Sequence, residues 1–142
     1  MKFDPNQSIG FILNDVARLQ RNNFDKQAKS AGLTRAQWSA IAYLYTNNGI
    51  RQIDLAELLD VAPITLARLI DRLEASGWVE RQDDVLDRRA KKLFLTDKVD
   101  AVINQMQLIG QKVRKVAFKN ITIEEQEQLK SILLKVRSNL SK

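Results

Sequence analysis

Apolar residues recur at helical spacing over most of the chain, and capping residues, glycines and prolines fall in the gaps between those stretches. Asp4 before Pro5 predicts an N-cap with proline at the first helical position, and Ile9, Ile12, Val16 and Leu19 then mark one stripe of a helix reaching about Lys29 and ended by Gly32. A second helix is expected from Thr34, with Gln37 as its capping-box partner, Leu33 stapled against Trp38, and Trp38, Ile41, Ala42 and Tyr45 facing the core. Near the other end, Thr96 is expected to cap a long helix carrying Val99, Val102, Ile103, Met106, Ile109, Val113 and Val116. Thr122 and Glu125 form a capping box for a last helix with Leu129, Ile132, Leu133, Val136 and Leu140. Both ends of the chain are thus amphipathic helices without a large domain to cover them, so they are expected to pack together and against a second subunit.

The middle of the chain departs from simple amphipathicity. Between Ile53 and Leu73, a small residue, Ala56, precedes a break at Asp60, and Leu55, Leu59, Val61, Leu66 and Leu69 supply the apolar positions. This is the pattern of a helix-turn-helix: Ala56 admits a closely crossing helix, and Asp60 tolerates the left-handed backbone of a tight turn, though glycine is commoner there. Pro63 opens the second helix, with Leu66, Leu69, Ile70 and Leu73 inward and Ile64, Thr65, Arg68 and Arg72 outward. In a recognition helix the outward residues of the first turns touch base edges, and Arg68 is the expected principal contact. Asp71 and Glu74 keep open the alternative of an ordinary solvated face.

Ser76 and Gly77 stop that helix, Trp78 to Arg81 alternate like a half-buried strand, and Lys91 to Leu95 read as a return strand, leaving 82–89 as a polar hairpin loop. Such a hairpin beside a recognition helix is a wing. At its tip Asp87 stands beside Arg88 and Arg89, an arrangement expected to hold Arg89 extended for insertion into a minor groove. The stretch 78–95 carries five basic and four acidic residues, so the argument rests on placement of charge rather than its sum. Asp83 and Asp84 are expected to keep the turn solvated.

Composition narrows the function. The 142 residues carry 23 Lys and Arg against 17 Asp and Glu, a net charge of +6, which favours a polyanionic partner. With no cysteine or histidine, disulfides, thiol chemistry, Cys/His metal sites and histidine acid–base catalysis are excluded. No paired carboxylates or phosphate-cradling glycine loop emerge, so neither an enzyme nor a cofactor or metal is expected. The absence of a long apolar run predicts a soluble, cytoplasmic protein with no membrane partner.

Leu73 to Arg81 and Asp87 to Thr96, joined at this distance to Asp54-Leu55-Ala56-Glu57-Leu58-Leu59, resemble the MarR family of bacterial regulators, particularly SlyA-like members, and the likeness spans nearly the whole chain. The resemblance implies a homodimer whose terminal helices form the interface and whose two winged lobes read a pseudo-palindromic operator in double-stranded DNA, usually to repress. It assigns the wing motif to Asp87 and Arg89 and the recognition helix to residues 63–75. One departure is Asp84-Val85, where relatives often have Asp-Pro. The resemblance further implies a small aromatic or phenolic anion as effector, with Arg18, Thr34 and Trp38 as candidate contacts. Trp38 also fits a simpler role as a core aromatic.

The expected fold is mainly α (α+β): one domain over 1–142, with a DNA-binding lobe at 36–96 (helix-turn-helix 53–76, wing 78–95) between dimerisation helices at 5–32 and 97–141. The competing expectation is a winged-helix adaptor or anti-repressor that binds protein without reading DNA, since fold alone does not decide function.

Overall fold

In the computed structural model, which describes residues 2–142, the Asp4 carboxylate accepts a hydrogen bond from the Asn6 amide at 3.0 Å, but it caps only a short 3-10 turn, Pro5–Gln7. Ser8, with extended backbone, separates that turn from the first long helix, α1 (Ile9–Ala28), which therefore starts four residues later than the proline had indicated. A second 3-10 turn, Lys29–Ala31, follows, and Gly32 closes it in the left-handed region at φ 73°, as its expected role as terminator requires.

Helix α2 (Arg35–Thr46) begins with the expected reciprocal cap: the Gln37 amide donates to Thr34 Oγ1 at 3.1 Å and the Thr34 amide to Gln37 Oε1 at 3.0 Å. Its buried face is Ala40, Ile41 and Leu44. Tyr45 is exposed rather than inward, so the core stripe is turned by one position from the expected one. Trp38 is half-buried and stacks on Phe24 of α1, with ring centroids 6.4 Å apart.

Helices α3 (Gln52–Leu59) and α4 (Pro63–Ala75) form the helix-turn-helix, and Asp60 between them adopts the left-handed conformation at φ 53°. The Asp60 amide reaches the Glu57 carbonyl at 3.1 Å and the Val61 amide reaches that of Ala56 at 3.0 Å, which satisfies the end of α3 and holds the turn. Antiparallel strands β1 (Val79–Asp83) and β2 (Lys91–Leu95) pair from Val79 with Leu95 to Asp83 with Lys91. The wing loop is therefore 84–90, and Trp78 precedes the strand instead of opening it. Gly49 and Ile50 add main-chain bonds to Leu93, at 2.8 and 2.9 Å, tying β2 to the segment before α3.

Thr96 does not cap the next helix, α5 (Val99–Ala117): its hydroxyl donates to the Gly77 carbonyl and its amide to that of Trp78, fastening the base of the wing to the end of α4. Leu55, Leu66, Ile70, Leu73, Val79 and Leu93 close one core, continuous with Ile103, Met106, Ile109 and Val113 where α1 packs along α5. The last helix, α6 (Ile123–Leu140), starts on the expected Thr122–Glu125 box, yet none of its residues is buried. Among the described residues no helix is long and apolar enough to cross a membrane.

Candidate nucleic-acid interface

Burial of Leu66, Ile70 and Leu73 fixes the rotation of α4, and Ile64, Thr65, Arg68 and Arg72 are all exposed. At 3.6 residues per turn these four fall within about 100° of arc, on a surface that begins at the helix N-terminus. Pro63 needs no hydrogen-bond acceptor for its nitrogen there, and Ala62 before it is extended. The helix end is thereby left open for an outside acceptor.

Asp71 borders this surface and Glu74 lies further round the helix; both are exposed, and both are paired. Arg81 of β1 donates to Asp71 Oδ1 at 2.7 Å, Glu74 Oε1 at 3.2 Å, Gln52 Oε1 at 3.0 Å and the Ala67 carbonyl at 3.0 Å, and its side chain is only 18% exposed. One guanidinium thus joins α3, α4 and β1 and engages both carboxylates that had argued against a DNA-facing helix, compensating part of their charge. Arg81 itself is not available to a ligand. Its clamp was not readable from the sequence, because the partners lie 7 to 29 residues away.

The wing tip is held by two carboxylates acting on backbone. Asp84, expected to be solvated, is 7% exposed; its Oδ1 accepts from the Leu86 amide at 3.0 Å, and its own amide donates to the Ala90 carbonyl at 3.1 Å. Asp87 Oδ1 accepts from the Arg89 amide at 3.0 Å, so this carboxylate shapes the turn and does not clasp a guanidinium as expected. Arg88 and Arg89 are exposed, and neither forms an ion pair among the described residues. Lys91 is paired with Asp83.

Between wing and α3 lies a cavity of about 270 Å³ bordered by Arg51, Gln52, Asp87, Arg89 and Lys91. Arg51, which the motif reading passed over, precedes the first turn of α3 and bonds Asp54 at 2.9 Å. That hydrogen bond, and then the charge of Asp54, raises the guanidinium above its ordinary value. The available signal was its position just before a helix start in a basic chain. Arg51 and Arg89 therefore flank the approach to the first turn of α4, where Pro63 borders the same cavity.

The three candidate effector contacts do not converge. Thr34 borders a groove of about 840 Å³ together with Arg35, Tyr43, Thr65, Arg68 and Arg72. Trp38 borders a different one, about 440 Å³, with Phe24, Met106 and Arg114. Arg18 pairs with Asp15 at 3.4 Å and borders neither. Among the described residues no group of three or more metal-ligating side chains is assembled.

An exposed helix presenting Arg68 and Arg72, its acids paired with Arg81 and flanked by a pinned hairpin with two arginines outside any ion pair among the described residues, defines a winged-helix DNA-binding regulator. The profile of the MarR family matches residues 33–91. Along 96% of its length the chain is 33% identical to the uncharacterized HTH-type transcriptional regulator YybA of Bacillus subtilis, 88% of which is covered. The chain belongs to the MarR family of DNA-binding transcription regulators, which are not enzymes. A crystal structure of MarR superposes with a TM-score of 0.88 over 99% of this chain and 96% of that one, at 23% identity, which shows the shared fold. A mutant MarR from E. coli complexed with operator DNA matches with a TM-score of 0.78 at 29% identity, covering 90% of this chain and 92% of that one. These likenesses assign the family and no subgroup within it.

Proposed function

We propose that this chain is a homodimeric, cytoplasmic repressor that reads a pseudo-palindromic operator. Each α4 enters a major groove with Ile64, Thr65, Arg68 and Arg72, while each wing offers Arg88 and Arg89 to the flanking minor groove, with Asp87 holding the turn. The observation that carries this reading is the exposure of Arg68 and Arg72 on the outer face of α4, where the neighbouring acids Asp71 and Glu74 are engaged by Arg81. The E. coli relative crystallised with operator DNA supports it. The exposed apolar stripes of α1 and α6 support the dimer.

The test is operator affinity after Arg68→Ala and, separately, Arg89→Ala. Loss of a base contact by Arg68 is expected to cost about 1 to 3 kcal/mol. Unchanged affinity in both variants would instead favour a protein-binding adaptor.

A small aromatic anion is the proposed effector, and the groove beside Thr34 is the better of the two candidate seats. It contains Arg68 and Arg72, so an anion held there competes with DNA for the same guanidinium groups. Titration of the protein–operator complex with 2-hydroxybenzoate and related aromatic acids tests this. If none releases the DNA, the effector assignment fails while operator binding stands.

A further inference from the structure

Two apolar side chains stand at the end of the wing almost free of contact: Val85 is 95% exposed and Leu86 96%. Among the described residues no other large apolar side chain is as exposed. They belong to neither helical stripe that a second copy of the chain would cover.

A loose loop folds such side chains back to shed water. This loop is prevented from doing so. The buried Asp84 carboxylate holds the Leu86 amide at 3.0 Å, the Asp84 amide is tied to Ala90, and Asp87 fixes the amides of Arg89 and Ala90. The same constrained loop carries the exposed Arg88 and Arg89, so apolar and cationic side chains are both exposed within residues 85–89 of one short tip.

A minor groove accepts both kinds of group. Its negative potential draws arginine inward, and its walls are deoxyribose, whose C–H surfaces are apolar. A protein partner fits less well, because a specific protein interface needs roughly 800 Å² on each side, far more than a hairpin tip offers. We infer that Val85 and Leu86 pack on the deoxyribose wall of the minor groove flanking each half-site, completing a contact whose charged part is Arg88 and Arg89. The inference rests on the operator-binding reading above and adds a contact that does not depend on charge.

The experiment compares full-length wild type with the Val85→Ser/Leu86→Ser double variant on a mapped operator, in duplexes with and without the flanking minor grooves. On the flanked duplex the variant is expected to bind about tenfold more weakly. Its slope of log affinity against log salt should match wild type, since no phosphate contact is lost. On the trimmed duplex the two proteins should bind equally. Val85→Ile/Leu86→Met, which keeps the apolar area, should restore flanked-duplex affinity, and thermal unfolding of every variant should match wild type.

Equal affinity of wild type and the serine variant on the flanked duplex overturns the inference, as does an equal loss on both duplexes. Unchanged DNA affinity with lost control of a purified polymerase also overturns it, and makes the tip a protein contact. If wild type binds no operator at all, the operator reading itself falls, an outcome distinct from the others.

Discussion

In α4, Leu66, Ile70 and Leu73 recur at helical spacing and are enclosed by the chain's own α2, α3 and hairpin. In α6, Leu129, Ile132, Leu133, Val136 and Leu140 recur at similar spacing, and not one is buried. The exposed side of α1 adds Ile9, Phe11, Ile12, Val16 and Leu19. Periodicity states which face must leave water; it does not state whether the cover comes from the same chain. The winged lobe has its core within one chain, whereas the terminal helices read as half of an interface, since monomers rarely leave contiguous apolar patches larger than a few hundred Å². The exposed chemistry differs too: the complete lobe presents Arg68, Arg72, Arg88 and Arg89 on α4 and the wing, and the incomplete one exposes the apolar stripes of α1 and α6.

Salt should separate these two surfaces most widely. If roughly six to ten phosphates are neutralised per dimer, operator affinity falls by about three to five orders of magnitude between roughly 50 and 200 mM salt. Over the same range the dimer should hold, because burial of apolar area is not screened. Fluorescence titration of operator alongside sedimentation at each salt concentration checks both. Parallel loss of dimer and of DNA binding would break the contrast.

Next in size is the effect of charging α6. Ile132→Asp/Val136→Asp places two carboxylates on a face that stays exposed in the single chain, so the winged lobe should remain folded while sedimentation shows monomers. Operator affinity should fall about a hundredfold or more as the second half-site loses its tether. A variant that stays dimeric would mean that the interface lies elsewhere.

Arg81→Ala acts inside the complete lobe and should be the smallest of the three. It frees Asp71 and Glu74, both exposed, and removes the side-chain donor that the Ala67 carbonyl has beside its helical bond. After allowance for solvent screening, the expected loss is about 2 kcal/mol of stability by chemical denaturation. Arg81→Lys should recover only part of it, because an ammonium group cannot span three elements as the planar guanidinium does. A full recovery would reduce the clamp to a simple charge effect.

Local chemistry was legible before the structure. The two capping boxes, the left-handed turn at Asp60, proline at the start of α4 and the four exposed residues of that helix all depend on neighbours within a turn or two. The misread features depend on distant partners, on a one-position rotation, or on a side chain turning to a backbone amide two residues on. Thr96 had an attractive acceptor in Gly77, 19 residues back, and so was not free to cap α5. Asp84 was buried by the hairpin's own closure, and Asp87 found a backbone amide nearer than a guanidinium. Leu44 displaced Tyr45 from the core because adjacent helical positions differ by only about 100°. The near-balanced charge sum of the wing says less than the placement of its charges: Arg81, Asp83 and Lys91 are consumed in ion pairs, while Arg88 and Arg89 are exposed.

The central claim is that two winged lobes, spaced by the terminal helices, read DNA through α4 and the wing tip. Hydroxyl-radical footprinting of wild type and Arg89→Ala on a genomically mapped operator tests it most directly. The account predicts two protected half-sites centred about 10 base pairs apart, or a multiple of that, with protection in the flanking minor grooves that Arg89→Ala removes while the central pattern survives. A single protected patch, or flanking protection indifferent to Arg89, would contradict it.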